Sequence, residues 1–283
     1  MDEVQFLQQL LRINSSNPPG NEHKVSEVFM ERCQKNRVPY QVTTLMENRS
    51  NFEITIRGTG DKHLFLCGHM DTVSPGDANW NFDPFSGEIV GDRIYGRGAS
   101  DMKSGLAAMY LALESLFLEK ITPKASITFL ATAGEEVDSC GARAFLEGNE
   151  NRTIDALVIA EPTNEKVVIG HKGALWLEIS TYGKTAHGSM PDQGINAVDH
   201  MILVIKTLET LKNEWRIENI KLGSSSLAVT MIEGGIQTNV IPDRCTIRVD
   251  IRSIPPQSHD GLIEELNVRL NQLVKKMKFL NLK

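Results

Sequence analysis

The chain has 283 residues, 41% of them apolar and 23% charged, a globular composition that excludes fibrous and disordered classes. Thirty basic residues against 36 acidic ones leave a net charge of −6, which argues against nucleic-acid and membrane-surface partners. At about 150 residues per domain, the length suggests two domains. No apolar run reaches the length of a membrane span. The first residues, MDEVQFLQQLL, are acidic where a secretory signal is basic. Cys33, Cys67, Cys140 and Cys245 are scattered without a CxxC, the pattern of reduced thiols in a cytoplasmic protein.

Two amphipathic helices are expected first, DEVQFLQQLLRI and HKVSEVFMERCQKN, separated by a turn at SSNPPGNE. The runs PYQVTTL, NFEITIRG and KHLFLCGH read as strands. Residues 74–98 are rich in Gly, Pro, Asp and Asn and read as loop. MKSGLAAMYLALESLFLEK has helical periodicity, whereas ASITFLATA and IDALVIA look like buried strands of an α/β sheet. Near residue 170 the texture changes. ALWLEISTYG alternates as a half-exposed antiparallel strand does, and AVDHMILVIKTLETLKNEW is an amphipathic helix. LAVTMIEGG and RCTIRVDIRS follow as strands and GLIEELNVRLNQLVKKM as a last helix, a small α+β layer.

Three apolar strands end in ligand-type residues: KHLFLCGHMD in His69 and Asp71, ITFLATAGEE in Glu135 and Glu136, ALVIAEP in Glu161. In open α/β sheets ligands bind beyond the carboxyl ends of the strands, so parallel strands bring these residues to one edge. Asp101, in GRGASDMKSG, precedes the long helix. One imidazole with several carboxylates suits zinc, cobalt or manganese better than a thiolate structural site does. Asp101 can bridge two ions, with His69 and Glu161 on one and Glu136 on the other. In the Glu-Glu pair one carboxylate binds metal while its neighbour stays free as a base. Asp71, two residues after His69, can hold the second imidazole nitrogen.

Competing motifs fail on inspection. GRGASD has Asp101 where a GxGxxG loop needs its third glycine, and the GKT of YGKTAH has Glu178 where a phosphate loop needs its upstream glycine. Neither HExxH nor GxSxG occurs.

GHMDTV, GRGASDMKSG, AGEE, AEPT, GKTAHGSMP and GGIQTNVIPD occur in this order. Together they resemble the acetylornithine deacetylase / succinyl-diaminopimelate desuccinylase family of co-catalytic zinc hydrolases, whose relatives include carboxypeptidases, aminoacylases and dipeptidases. The resemblance covers essentially the whole chain. It implies an α/β catalytic domain, with a mixed sheet between helices, over residues 1–170. It also implies a small α+β, ferredoxin-like dimerisation or lid domain over 171–283. His69, Asp101, Glu136 and Glu161 match the metal ligands, Asp71 the residue orienting the histidine, and Glu135 the general base. His187 matches a histidine that reaches the partner subunit's site and stabilises an oxyanion. Asn239 and Arg252 match contacts to the substrate carboxylate. Two Zn2+ per subunit are implied, with Co2+ or Mn2+ as substitutes, and a homodimer through the small domain.

The implied reaction is removal of an acyl group from an N-acyl amino acid by a metal-activated water. A dipeptidase or carboxypeptidase of the same family is the alternative. Family members run on past the small domain into a segment carrying a last histidine ligand and a Gly-rich loop, which neither His200 nor His259 matches. The expectation is a C-terminally truncated form, lacking a ligand for the second ion, weakly active and poorly stable. An inactive metal-binding or dimerisation remnant is the third reading.

Overall fold

The computed structural model describes residues 3–280. The chain divides into two compact units, Met1–Lys166 and Val167–Lys283. The division falls four residues before the expected one, at Val167 and Ile169, which are 91% and 84% exposed and so are packed into neither core.

The first unit contains α1 (Glu3–Leu11), α2 (Glu22–Asn36), β1 (Gln41–Met46), β2 (Arg49–Ile56), β3 (His63–His69), β4 (Glu88–Val90), β5 (Arg93–Tyr95), α3 (Ser104–Leu118), β6 (Ser126–Thr132), α4 (Cys140–Glu147) and β7 (Ala156–Ile159). Its main sheet has the order β1-β2-β6-β3-β7. β3 runs parallel to both β6 and β7, while β2 is antiparallel to β6 and to β1. Alternation sorts the side chains. Phe52, Phe129 and Leu66 face α1, α2 and α3, whereas Phe65, Leu130 and Cys67 face Phe145 of α4. Helices therefore cover both faces, which is why β3 and β6 read as near-continuous apolar runs.

The first core is aromatic. Phe29 packs against Phe6, Phe52, Tyr110 and Phe129 with ring centroids 5.0–5.8 Å apart. Each such pair is worth about 0.5–1.5 kcal/mol beyond its buried area, more than an exposed ion pair contributes. In the stretch expected as loop, β4 and β5 form a short hairpin. It is too short and too exposed to show periodicity in the sequence.

α3 and the residue just before it carry two charges inward. Lys103, Leu106, Ala107, Tyr110 and Glu114 are all buried and fall at helical spacing on one stripe. Glu114 is held by Arg32, whose Nη2 lies 2.7 Å from Oε2. Lys103 is fully buried, and its Nζ donates to the carbonyls of Leu10 at 2.9 Å and Ile13 at 2.8 Å. These carbonyls lie at and just beyond the C-terminal end of α1, where a cation is favourable. Burial pushes the ammonium down to about 7, opposed by the charge of Asp71. Lys103 is thus the buried tie between α1 and the segment that carries Asp101.

The second unit contains β8 (Gly173–Tyr182), α5 (Ala197–Glu214), β9 (Glu218–Asn219), β10 (Gly223–Ser224), β11 (Ser226–Gly234), β12 (Arg244–Ser253) and α6 (His259–Leu280). β9 and β10 pair with each other, and the main sheet is antiparallel in the order β11-β12-β8. Leu175, Leu177 and Ile179 of β8 pack with Ile247, Val249 and Ile251 of β12 against α5 and α6. Trp176 and Tyr182 alternate outward, 56% and 68% exposed. Asn196 starts α5, its Oδ1 accepting from Val198 N at 2.9 Å. Among the described residues, no helix is long and apolar enough to cross a membrane.

Candidate metal centre

Strand register builds the centre. His69 pairs with Thr132, and Cys67 with Ile159, across the parallel strands. The residues just past each strand end, Asp71, Glu135, Glu136 and Glu161, therefore emerge at one edge. Asp101 reaches the same place through a single irregular turn, Ala99–Lys103. Two glycines bring it there. Gly98 has φ +83°, and a Cβ on it would stand 2.7 Å from the Thr72 methyl. A Cβ on Gly105 would meet the Ala160 carbonyl oxygen at 2.2 Å, so only glycine lets the start of α3 lie against the residue before Glu161.

His69 is 2% exposed. Its Nε2 lies 3.1 Å from Asp101 Oδ1, 3.5 Å from Glu161 Oε1 and 3.8 Å from Glu135 Oε2. Its Nδ1 lies 2.8 Å from the main-chain carbonyl of Asp71 and 3.5 Å from that residue's carboxylate. A carbonyl only accepts, so Nδ1 carries the proton, and in the neutral ring the Nε2 lone pair faces the carboxylates. At 3.5 Å the Asp71 carboxylate acts on the ring by charge. Its own hydrogen bonds go elsewhere: Oδ1 accepts from Glu135 N and Oδ2 from Glu136 N, both at 3.1 Å, and Oδ2 also from Asn17 Nδ2 at 2.9 Å.

Electrostatics show a surplus of negative charge. Burial alone would lower His69, but Asp71, Glu161 and Glu135 carry it up to about 9. Burial, with Asp101 and Glu135 alongside, pushes Glu161 up to about 7 against the pull of His69. Glu136 is raised by the same means, burial first. Asp71 moves the other way: burial would raise it, but the neighbouring His69 ring and the Asn17 amide hold it below the usual range. A proton on His69 and a cation among the carboxylates are competing answers to one charge imbalance. The donor set fits a divalent ion. His69, Asp101 and Glu161 offer ligand atoms within 4.8 Å of one another, and so do His69, Glu135 and Glu136. The set that contains Glu136 contains Glu135 rather than Asp101. Among the described residues, neither set includes a second histidine.

The residues expected in the second unit are arranged differently. His187 is exposed, with Nδ1 2.8 Å from Ser189 Oγ. Gly188 N donates to the Asn239 carbonyl at 2.8 Å, so the His187 and Asn239 loops lie side by side. Arg252 stands near the far end of β12, eight residues from Arg244, or roughly 26 Å at about 3.3 Å per residue. Its guanidinium forks onto Asp250 at 2.8 and 2.9 Å. Asn239 lies in the loop that precedes β12, and Arg252 near the other end of that strand. His200 lies within α5, and His259 Nε2 is 3.1 Å from Ser253 Oγ at the start of α6.

A sequence model of peptidase family M20/M25/M40 matches residues 65–278. The chain belongs to that family. This M20 hydrolase is 31% identical, over 92% of its length and 69% of the relative's, to a Staphylococcus aureus (strain MRSA252) protein named probable succinyl-diaminopimelate desuccinylase. It is 34% identical to the acetylornithine deacetylase of Buchnera aphidicola, over 77% of its length and 58% of that enzyme's. Its fold resembles that of the M20 family metallo-carboxypeptidase Sso-CP2 from Sulfolobus solfataricus. The TM-score is 0.81 at 23% identity, covering 96% of this chain and 76% of the other. A Bacillus subtilis M20 peptidase described as dinuclear and metal-binding is a further neighbour, with TM-score 0.62 at 14% identity over 97% of this chain and 70% of the other. M20 hydrolases are metal-dependent enzymes that cleave amide bonds, and this chain shares their fold and the family's sequence pattern.

Asn17 and Lys103 were not legible as site-supporting residues. SSNPPGN has turn chemistry, which masks the bonds its side chains make to the end of β3. The buried stripe of α3 was the available signal for Lys103, since Leu106, Ala107 and Tyr110 stand three, four and seven residues beyond it.

Proposed function

We propose that this chain hydrolyses the amide bond of a small N-acyl amino acid, as a deacetylase or desuccinylase, with two zinc ions. The observation that carries the reading is the convergence of His69, Asp101 and Glu161 beside a second carboxylate pair, Glu135 and Glu136. His69 and Glu161 would hold one ion and Glu136 the other, with Asp101 available to both. When bound, such ions polarise an amide carbonyl and make water acidic enough to react near neutral pH. Glu135, with a side chain 54% exposed, takes a proton from the attacking water on its Oε atoms and returns it to the leaving amine nitrogen. Asp71 fixes the imidazole through its carbonyl and the Glu135–Glu136 backbone through its carboxylate. The desuccinylase and deacetylase names of the curated relatives favour an acyl amino acid over a peptide as substrate.

Residues 1–170 are assigned the catalytic role, and 171–283 the dimerisation and lid role. His187 and Asn239, on adjoining loops, are assigned to the partner subunit's reaction, where the imidazole donates to the oxyanion and Asn239 to the substrate carboxylate. Arg252 is assigned to a substrate carboxylate at a separate position.

The substrate test is a panel of N-acetyl-ornithine, N-succinyl-diaminopimelate and dipeptides, assayed with zinc-loaded protein. The expected result is kcat/KM at least tenfold higher for one acyl amino acid than for any dipeptide. A dipeptide in first place overturns the deacylase assignment. For His187, mixing inactive His187→Ala subunits with inactive Glu135→Ala subunits is expected to restore up to a quarter of the parent activity, about one active site in four after random exchange. No recovery despite verified subunit exchange removes the role across the dimer.

A further inference from the structure

Asp71 is completely buried, and its carboxylate is the junction of three chain segments. It accepts from the backbone amides of Glu135 and Glu136 in the turn after β6, while the same residue's carbonyl receives the His69 proton after β3. The third segment is the loop between α1 and α2. Asn17 is 8% exposed and donates from Nδ2 to Asp71 Oδ2 at 2.9 Å. The loop is tied to the same strand end by three more bonds. Ser15 Oγ donates to the Met70 carbonyl at 2.8 Å, Thr72 N to the Ser15 carbonyl at 3.1 Å, and Asn17 N to the Thr72 carbonyl at 2.9 Å. The Asn17 amide alone reaches the carboxylate; the others hold backbone to backbone or to hydroxyl.

We propose that Asn17 is a positioning residue for the metal centre. By holding Asp71 it sets both the direction of the His69 imidazole and the placement of the Glu135–Glu136 turn. The inference rests on the metal-site reading above. Three N–H donors share the two carboxylate oxygens. Removing the Asn17 amide leaves a fully buried anion one donor short, and a charged group in that position rotates or draws in water to recover one. Rotation of the carboxylate loosens the two amides it holds. With those anchors weakened the backbone at Asp71 is less firmly held, and with it the carbonyl that fixes the imidazole proton on Nδ1. Both sets of metal donors are affected through one side chain that touches neither metal nor substrate. Partners of this kind are worth about 10–100-fold in metal affinity.

The discriminating comparison is Asn17→Asp against Ser15→Ala. Asn17→Asp keeps size and shape but replaces the donor with a second carboxylate. Ser15→Ala removes a bond of the same loop that does not touch Asp71. Metal-free protein of each variant is titrated with Co2+ in competition with a chelator. The visible Co2+ absorption bands are recorded, and thermal unfolding of the metal-free form is followed. The expected result for Asn17→Asp is Co2+ affinity lower by about 10–100-fold, with changed band positions. Ser15→Ala is expected to lower Tm while affinity stays within about twofold of the parent, since its outer-partner contact is not to Asp71. Asn17→Ala is the second variant, expected to lose affinity as Asn17→Asp does. Parent-like affinity and bands in both Asn17 variants overturn the proposal. So does an equal loss in Ser15→Ala, or failure of both Asn17 variants to fold, because each makes the loop merely structural. A parent chain that binds no Co2+ overturns the metal reading itself, a distinguishable failure.

Discussion

Glu135→Ala is expected to lower kcat by about 10²–10⁴-fold, the usual worth of a general acid–base group, while metal content stays at the parent level. That loss corresponds to about 2.7–5.4 kcal/mol of transition-state stabilisation. The geometry explains why one residue can be removed without the other contributions. The Glu135 side chain is 54% exposed, and the backbone that carries it is held by Asp71 through the amide nitrogen, which alanine retains. The fold and the neighbouring Glu136 should therefore be untouched. The competing assignment is that Glu135 is a ligand, since its oxygen shares a set with His69 and Glu136. Metal analysis after gel filtration, alongside steady-state rates, separates the two. Full metal with lost turnover supports the base. Lost metal makes Glu135 a ligand, and near-normal turnover with full metal removes both roles.

Asp101→Ala is expected to weaken metal binding by more than about 100-fold, beyond the range measured for groups that act only on a ligand from outside, and to abolish detectable hydrolysis. Asp101 Oδ1 is the carboxylate oxygen nearest His69 Nε2, at 3.1 Å, and Asp101 belongs to the one set that also contains Glu161. Its side chain is 56% exposed, so truncation opens no buried cavity and the loss should not arise from unfolding. Zn2+ content after dialysis, with far-UV circular dichroism as the fold control, reads the result. Two retained ions at parent affinity would eliminate Asp101 as a ligand, and with it the bridge. Loss of one ion only would restrict Asp101 to the set with His69 and Glu161.

Several features were legible before any coordinates because they are local. The apolar runs of β3, β6 and β7 end abruptly in His69–Asp71, Glu135–Glu136 and Glu161, and parallel pairing of such strands places their ends together. The switch from buried runs to the alternation of β8 marked a second unit of different architecture. GRGASDMKSG carried its own geometry, since its glycines are the residues that permit close approach at Thr72 and Ala160. Other features depended on which distant segment lies opposite. SSNPPGN is turn chemistry in one dimension, and nothing within it says that Asn17 faces Asp71, 54 positions away. The spacing of His-x-Asp pointed to a carboxylate holding the imidazole. In the structure the Asp71 carbonyl is the nearer acceptor, and the carboxylate takes the amides of the turn after β6.

Fold class, family pattern and the identity of the residues at the strand ends are written in the local order of the chain. Periodicity, strand termination and motif order are carried by neighbouring residues, although the apolar run of β7 stays exposed at the sheet edge. Packing in three dimensions sets how the acidic side chains divide into sets about His69, which atom of Asp71 meets the imidazole, and the burial of Lys103 at the end of α1. It also places Asn239 in the loop before β12 and Arg252 near that strand's far end. The reason is the same in each case. A hydrogen bond or an ion pair depends on ångström-scale distance and direction between segments, and those are set by strand register, close approach at glycine and packing, none of which a single segment contains.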